Sequence, residues 1–160
     1  MATRSPTVRV VRATRKHLDV LTEVFIAYLT FYRRLIDRGR VREFLAERIA
    51  RKESVIFLAI ESTPEGPRAV GFAQLYPTFS SLQQARAWVL NDLFTIPSRR
   101  RSGVAHLLLS AARTMAVGTS ACYIEMVSGR GNHTAARVYE SVGYRRDDST
   151  SRFELDLKRR

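Results

Sequence analysis

Apolar and polar positions repeat along this chain with two different periods, and each change of period marks an element. Val8 to Val11 (VRVV) reads as a first short strand. From about Arg15 to Ile36, the apolar residues Leu18, Leu21, Val24, Phe25, Tyr28, Leu29 and Tyr32 recur in steps of three and four, as in an amphipathic helix. Gly39 is expected to break that helix, and RVREFLAERIAR repeats the helical spacing through Val41, Phe44, Leu45 and Ile49. The period then shortens. SVIFLAIES (54–62), a turn at TPEGPR (63–68) and AVGFAQLYP (69–77) predict a hairpin. A polar loop, TFSSLQQAR, leads to AWVLNDLFTIP (87–97), a strand ended by Pro97. A helix over 102–117 closes near Gly118, ACYIEMVS (121–128) reads as a strand and NHTAARVYESV (132–142) as a helix. Two short strands around Tyr144–Arg145 and Arg152–Leu157 complete the order β-α-α-β-β-β-α-β-α-β-β. That order predicts an α/β (α+β) fold: a mixed, mostly antiparallel central sheet of about seven strands with helices on both faces.

Composition narrows the classes. The 160 residues show no repeat, linker or low-complexity tract, so one domain over 1–160 is expected. With 45% apolar and 26% charged residues the chain is not wholesale disordered. No apolar run is long enough for a membrane span, and no apolar h-region follows the basic start, so neither an anchor nor a secretory signal is expected. Cys122 is the one cysteine, which excludes an internal disulfide, fits a reducing cytoplasm and reads as a small core residue in mid-strand. His17, His106 and His133 lack ligand spacing, so no metal is expected. A net charge of +12 would attract nucleic acid, an anionic cofactor or acidic surfaces. Yet 24 of the 27 basic residues are arginine, a bias that base composition alone can impose, so charge selects no partner.

Local chemistry says more. Asp92 to Leu109 reads as strand, short basic loop and helix in direct succession. A helix start offers unpaired N–H groups and partial positive charge; Gly103 and Ala105 would let a ligand approach, and arginine supplies forked donors. The stretch has the makings of a diphosphate cradle, and equally of a solvated basic helix start. It is neither a Walker loop nor a G-x-G-x-x-G fingerprint. Further on, Asn132, Ala135 and Tyr139 lie on one helical face, as a ligand-facing phenol or a core tyrosine would.

Taken together the two stretches resemble a family. Arg100-x-x-Gly103-x-Ala105 is similar to the Q/R-x-x-G-x-G/A motif of the GNAT superfamily of N-acetyltransferases. Asn132-x-x-Ala135-x-x-x-Tyr139-Glu140-x-x-Gly143-Tyr144 resembles the motif that follows it there. LNDLFTIP is most similar to the small-amine and diamine acetyltransferases. The resemblance implies acetyl-CoA as cosubstrate and direct transfer to a primary amine of a small molecule or peptide. It implies that the backbone amides of Arg101, Ser102, Gly103, Val104, Ala105 and His106 hold the diphosphate, with Arg99, Arg100 and Arg101 adding side-chain contacts. Phe94, Thr95 and Ile96 would bind the pantetheine arm and acetyl carbonyl through backbone groups, Asn132 would touch that arm, and Tyr139 would be the general acid.

For the general base, relatives often carry glutamate where Asn91 stands. Asp92 is next to it, but simple alternation places it on the opposite face; Glu125, through water, is the other candidate. Phe31, Tyr32, Tyr76 and Phe79, with Asn91, would line the acceptor pocket, and few acids there argue against a polyamine. A non-catalytic or nucleic-acid-associated module, including aminoacyl-tRNA acetylation, is the alternative reading. A homodimer is left open.

Overall fold

The computed structural model describes residues 7–129 and 131–157; residues 1–6, read above for a leader, lie outside them. The chain forms two compact units, Met1–Val127 and Ser128–Arg160.

In the first unit the elements are β1 (Val8–Arg12), α1 (Leu18–Phe31), α2 (Arg38–Ala50), β2 (Val55–Thr63), β3 (Gly66–Ser80), β4 (Ala85–Thr95), α3 (Val104–Gly118) and β5 (Ile124–Met126). The sheet runs β1-β2-β3-β4-β5. Its first four strands pair antiparallel, and β5 adds parallel to β4 after the α3 crossover. The apolar run of β2 is buried from Val55 to Glu61, as expected of an interior strand covered on both faces. On one face Phe72 packs against Phe25 and Tyr28 of α1. On the other, Gly71 lies against α3: a Cβ there would come 2.7 Å from Phe94 O and 3.0 Å from Val104 Cγ1. Leu21, Leu45, Leu58, Leu75 and Leu108 are fully buried in this core. Among the described residues no helix is long and apolar enough to cross a membrane.

Several boundaries differ from the sequence reading, each for a local reason. α1 ends at Phe31, short of the expected Ile36, with Arg33 left-handed at φ +52°. α2 is started by Asp37 rather than broken off by Gly39: the Asp37 carboxylate caps α2 by accepting the Arg40 N–H at 3.0 Å. Gly39 lies inside the first turn of α2. The expected loop after Pro77 is partly strand, because Phe79 and Ser80 pair with Arg86 and Ala85. Cys122 is exposed rather than core; it precedes β5 and its N–H donates to Arg86 O at 2.8 Å.

The second unit contains α4 (His133–Ser141). Asn132 Oδ1 caps its start, accepting the Ala135 N–H at 3.1 Å. At its end the Gly143 N–H donates to Glu140 O and the Tyr144 N–H to Tyr139 O, with Gly143 at φ +97°. These two bonds make a Schellman stop, and the Tyr139 and Tyr144 rings meet at 5.8 Å across it. Neither expected terminal strand is present among the described residues, so the sheet has five strands instead of about seven. Asp147 instead gathers the Ser149 N–H, the Ser149 hydroxyl and the Thr150 hydroxyl into a local turn. Phe153, Leu155 and Leu157 do alternate, but they are exposed; alternation without a ladder partner makes no strand.

Candidate functional site

β4 carries the central irregularity. Its register with β3 shifts between Gln74 and Leu75: Gln74 pairs with Asp92 but Leu75 with Leu90, so Asn91 is an extra, bulged residue. The bulge resets the alternation. Leu90 shares the face of Leu75, while Asp92 shares that of Gln74, Phe72 and Phe94, the face covered by α1. The Asn91 amide donates to Asp92 Oδ2 at 2.9 Å, so the two side chains are not turned to opposite faces as simple alternation implied.

At the same point β4 loses a neighbour. β5 pairs with Trp88, Val89 and Leu90 and with nothing beyond, whereas β4 runs on to Thr95. From Asn91 to Thr95 the far edge of β4 therefore has no strand partner among the described residues. Such an edge presents N–H and C=O groups that an extended amide chain can pair with. The buried Thr95 hydroxyl at its end has no hydrogen-bond partner among the described residues. The expected use of Ile96 is corrected in part: its N–H is spent on Val70 O at 3.0 Å.

Beside this edge lies an aromatic cluster. The Tyr28 ring sits 5.0–5.7 Å from Phe25, Tyr32, Phe72 and Phe94, and Phe31 packs on Tyr32 and Phe94. The Tyr28 hydroxyl donates to Asp92 Oδ1 at 2.6 Å. Burial, and then the Asp92 carboxylate, push the Tyr28 phenol above its ordinary range, so it stays a protonated donor. Burial likewise raises Tyr76, with Asp92 the next cause, which puts Tyr76 in the field of the same carboxylate. Glu125 is exposed, and its pairing with Val89, itself opposite Tyr76, sets it on this face.

Phe31, Tyr32, Tyr76, Asn91 and Asp92 are thus brought to one region, and Phe79 is not. The pleat turns Phe79 to the face opposite Tyr76, where Arg86 stacks on it at 5.0 Å. Sequence reasoning placed Tyr28 on the apolar face of α1 but missed its part in the site. The signal was its hydroxyl, since a phenol on a buried face needs a polar partner.

The basic loop gives its three arginines different work. Arg99 ends a short 3₁₀ turn and forks onto the buried Glu61, with Nε and Nη2 2.8 and 2.7 Å from Oε2. Its Nε and Nη2 are thereby turned to Glu61 and away from the phosphate contact the sequence allowed. The Arg100 guanidinium lies 4.7 Å over the Phe31 ring, and Arg101 takes φ +61°. The Ser102 hydroxyl donates back to Arg99 O at 2.6 Å. Gly103 then starts α3 in the left-handed region, φ +83° and ψ −2°, with no side chain to cap it. The first helical amides, those of Val104 and Ala105 among them, have no acceptor within the helix, and a Cβ on Gly103 would meet open space. An anion is well matched to such a mouth.

In the second unit Asn132, Tyr139 and Gly143 make the two caps of α4, so these motif residues shape their helix whatever else they do. No three His, Cys, Asp or Glu side chains gather as a metal site among the described residues.

Comparison with known proteins agrees with this architecture. The model of the acetyltransferase (GNAT) family matches residues 21–144. The Bacillus subtilis protein named uncharacterized N-acetyltransferase YhfO is 38% identical over 137 residues, 86% of this chain and 89% of that one. The crystal structure of a protein called a probable acetyltransferase superposes with a TM-score of 0.85 at 42% identity, covering 93% of this chain and 97% of that one. An aminoglycoside N-acetyltransferase solved in complex with CoA shares the fold, with a TM-score of 0.76 at 17% identity and 99% of each chain covered.

Proposed function

The chain belongs to the acetyltransferase (GNAT) family and is an acetyltransferase, and from that premise we propose that it moves an acetyl group from acetyl-CoA directly onto a primary amine of a small molecule. The observation that carries the reading is the β4 edge from Asn91 to Thr95, without a strand partner among the described residues, running into the mouth of α3 at Gly103, which has no side-chain cap. The free edge suits the amide groups of a pantetheine arm, the lone Thr95 hydroxyl supplies one more polar group, and the helix mouth suits a diphosphate. The CoA complex of the aminoglycoside N-acetyltransferase supports this choice by fold. When bound, acetyl-CoA supplies an activated acetyl thioester.

The chain's own residues do the rest. Tyr32 and Tyr76 are the aromatic rings we assign to an ammonium, Phe31 lining the same region while carrying the Arg100 guanidinium on its ring, and Asp92, held by Tyr28 and Asn91, supplies the opposite charge. An amine attacks only after losing a proton. We assign proton uptake to Glu125, which is exposed on the same face, because both Asp92 oxygens already accept hydrogen bonds. Tyr139 is assigned as proton donor from its motif position alone. With Asp92 the only one of these carboxylates held against the aromatic cluster and Glu125 assigned to the proton, a monoamine of the small-amine type is the acceptor we favour over a polyamine.

Isothermal titration with CoA, followed by a panel of primary amines scored for CoA release, tests the proposal. No CoA binding at about millimolar ligand would sink it.

A further inference from the structure

Glu61 is the one buried acidic residue among the described residues, 1% exposed, on a strand otherwise made of apolar residues at that depth. A carboxylate so placed is costly unless a cation with good geometry faces it. Arg99 does so, with two N–H groups on one oxygen. This arginine comes from the 3₁₀ turn of Pro97–Arg99, between the free β4 edge and the start of α3.

The turn is pinned at both ends. Upstream, Ile96 N–H donates to Val70 O, and Arg99 N–H to Ile96 O at 2.9 Å. Downstream, Arg99 O receives the Ser102 hydroxyl, one residue before the left-handed Gly103. A continuous line of contacts therefore runs from Glu61 through the Arg99 side chain and carbonyl to Ser102 and the first amides of α3. The fork also neutralises Arg99, so the first arginine of the triplet adds little charge for a phosphate; what it supplies is placement.

We propose that Glu61 is a positioning residue for the cosubstrate: through Arg99 it holds the turn that aims the α3 amides at the diphosphate of CoA. The proposal rests on the acetyl-CoA reading above. It assigns a function to a buried acid three strands away from β5, and it makes a prediction that separates binding from folding. Loss of Glu61 should weaken ligands that carry the diphosphate and spare those that do not.

Titrations of wild type, Glu61→Gln and Arg99→Lys with CoA and with pantetheine test it, alongside thermal unfolding of each protein. Glu61→Gln is expected to raise the Kd for CoA about tenfold and leave pantetheine affinity and kcat at saturating acetyl-CoA within about twofold. Arg99→Lys keeps the charge but not the fork, and is expected to fall between, about threefold weaker for CoA. It also serves if Glu61→Gln fails to fold. A lower Tm with unchanged CoA affinity in either variant overturns the proposal, leaving a purely structural pair. Equal weakening of CoA and pantetheine overturns it as well. If wild type binds no CoA, the acetyl-CoA reading itself fails and this inference with it; if wild type binds and both variants bind equally well, only the inference fails.

Discussion

Gly103 adopts φ +83° and ψ −2°, and a Cβ built on it meets no heavy atom within 4 Å. Alanine there would disturb the free protein through its backbone alone, at about 1–2 kcal/mol for an L-residue held left-handed. For a chain of this size that lowers Tm by about 2–8 °C. The open space is also where a diphosphate would approach the Val104 and Ala105 amides. Losing one charged hydrogen bond there costs about 1.5–3 kcal/mol. The Kd for CoA would then rise about 10- to 150-fold. Gly66 is the control: it too has a positive φ, +119°, and a Cβ would meet nothing, but it closes the β2–β3 hairpin. Gly66→Ala should lower Tm with CoA affinity intact. Thermal unfolding and calorimetric titration of the two variants decide the matter. If both lose similar stability and both bind CoA as wild type does, the diphosphate does not sit at the mouth of α3.

Other consequences follow from the same geometry. At Gly71 a Cβ would lie 2.7 Å from Phe94 O and 3.0 Å from Val104 Cγ1, so Gly71→Ala is expected to cost about 1–3 kcal/mol by urea unfolding. Asp92→Asn should lower kcat/KM for the amine at least about tenfold while leaving CoA affinity unchanged; a loss of CoA binding instead would move Asp92 out of the acceptor side. The Tyr28 phenol has its folded-state pKa raised above the ordinary 10.0, by burial first and Asp92 second. Its contribution to stability is therefore complete below that value and is lost as pH rises beyond it. Urea midpoints between about pH 8 and about pH 11 should fall more steeply for wild type than for Tyr28→Phe, and parallel curves would contradict this.

Legibility in the sequence followed the range of the interactions involved. The spacing of Leu18, Leu21, Val24 and Phe25 reports on a single helix, and α1 buries those residues. Likewise the hairpin after β2 and the helix after Gly103 are governed by contacts between near neighbours. The Asn132 and Gly143 caps are local for the same reason: each bond spans three to five residues. Alternation misled where pairing decides, as at Phe153, Leu155 and Leu157, which have the pattern of a strand and no ladder.

By itself, then, the sequence determined the helices, the meander, the glycine at the helix mouth and the family to which they point. Tertiary structure decided which side chains meet. The bulge at Asn91 depends on register against Gln74 and Leu75 of β3, and it turns Asp92 to the face where Tyr28 lies. The Glu61–Arg99 fork joins residues 38 apart and, with Arg100 over Phe31, gives adjacent arginines of one basic run different roles. Periodicity reports which face of an element a residue occupies; cross-strand register and a buried charge's need for a partner report what it faces.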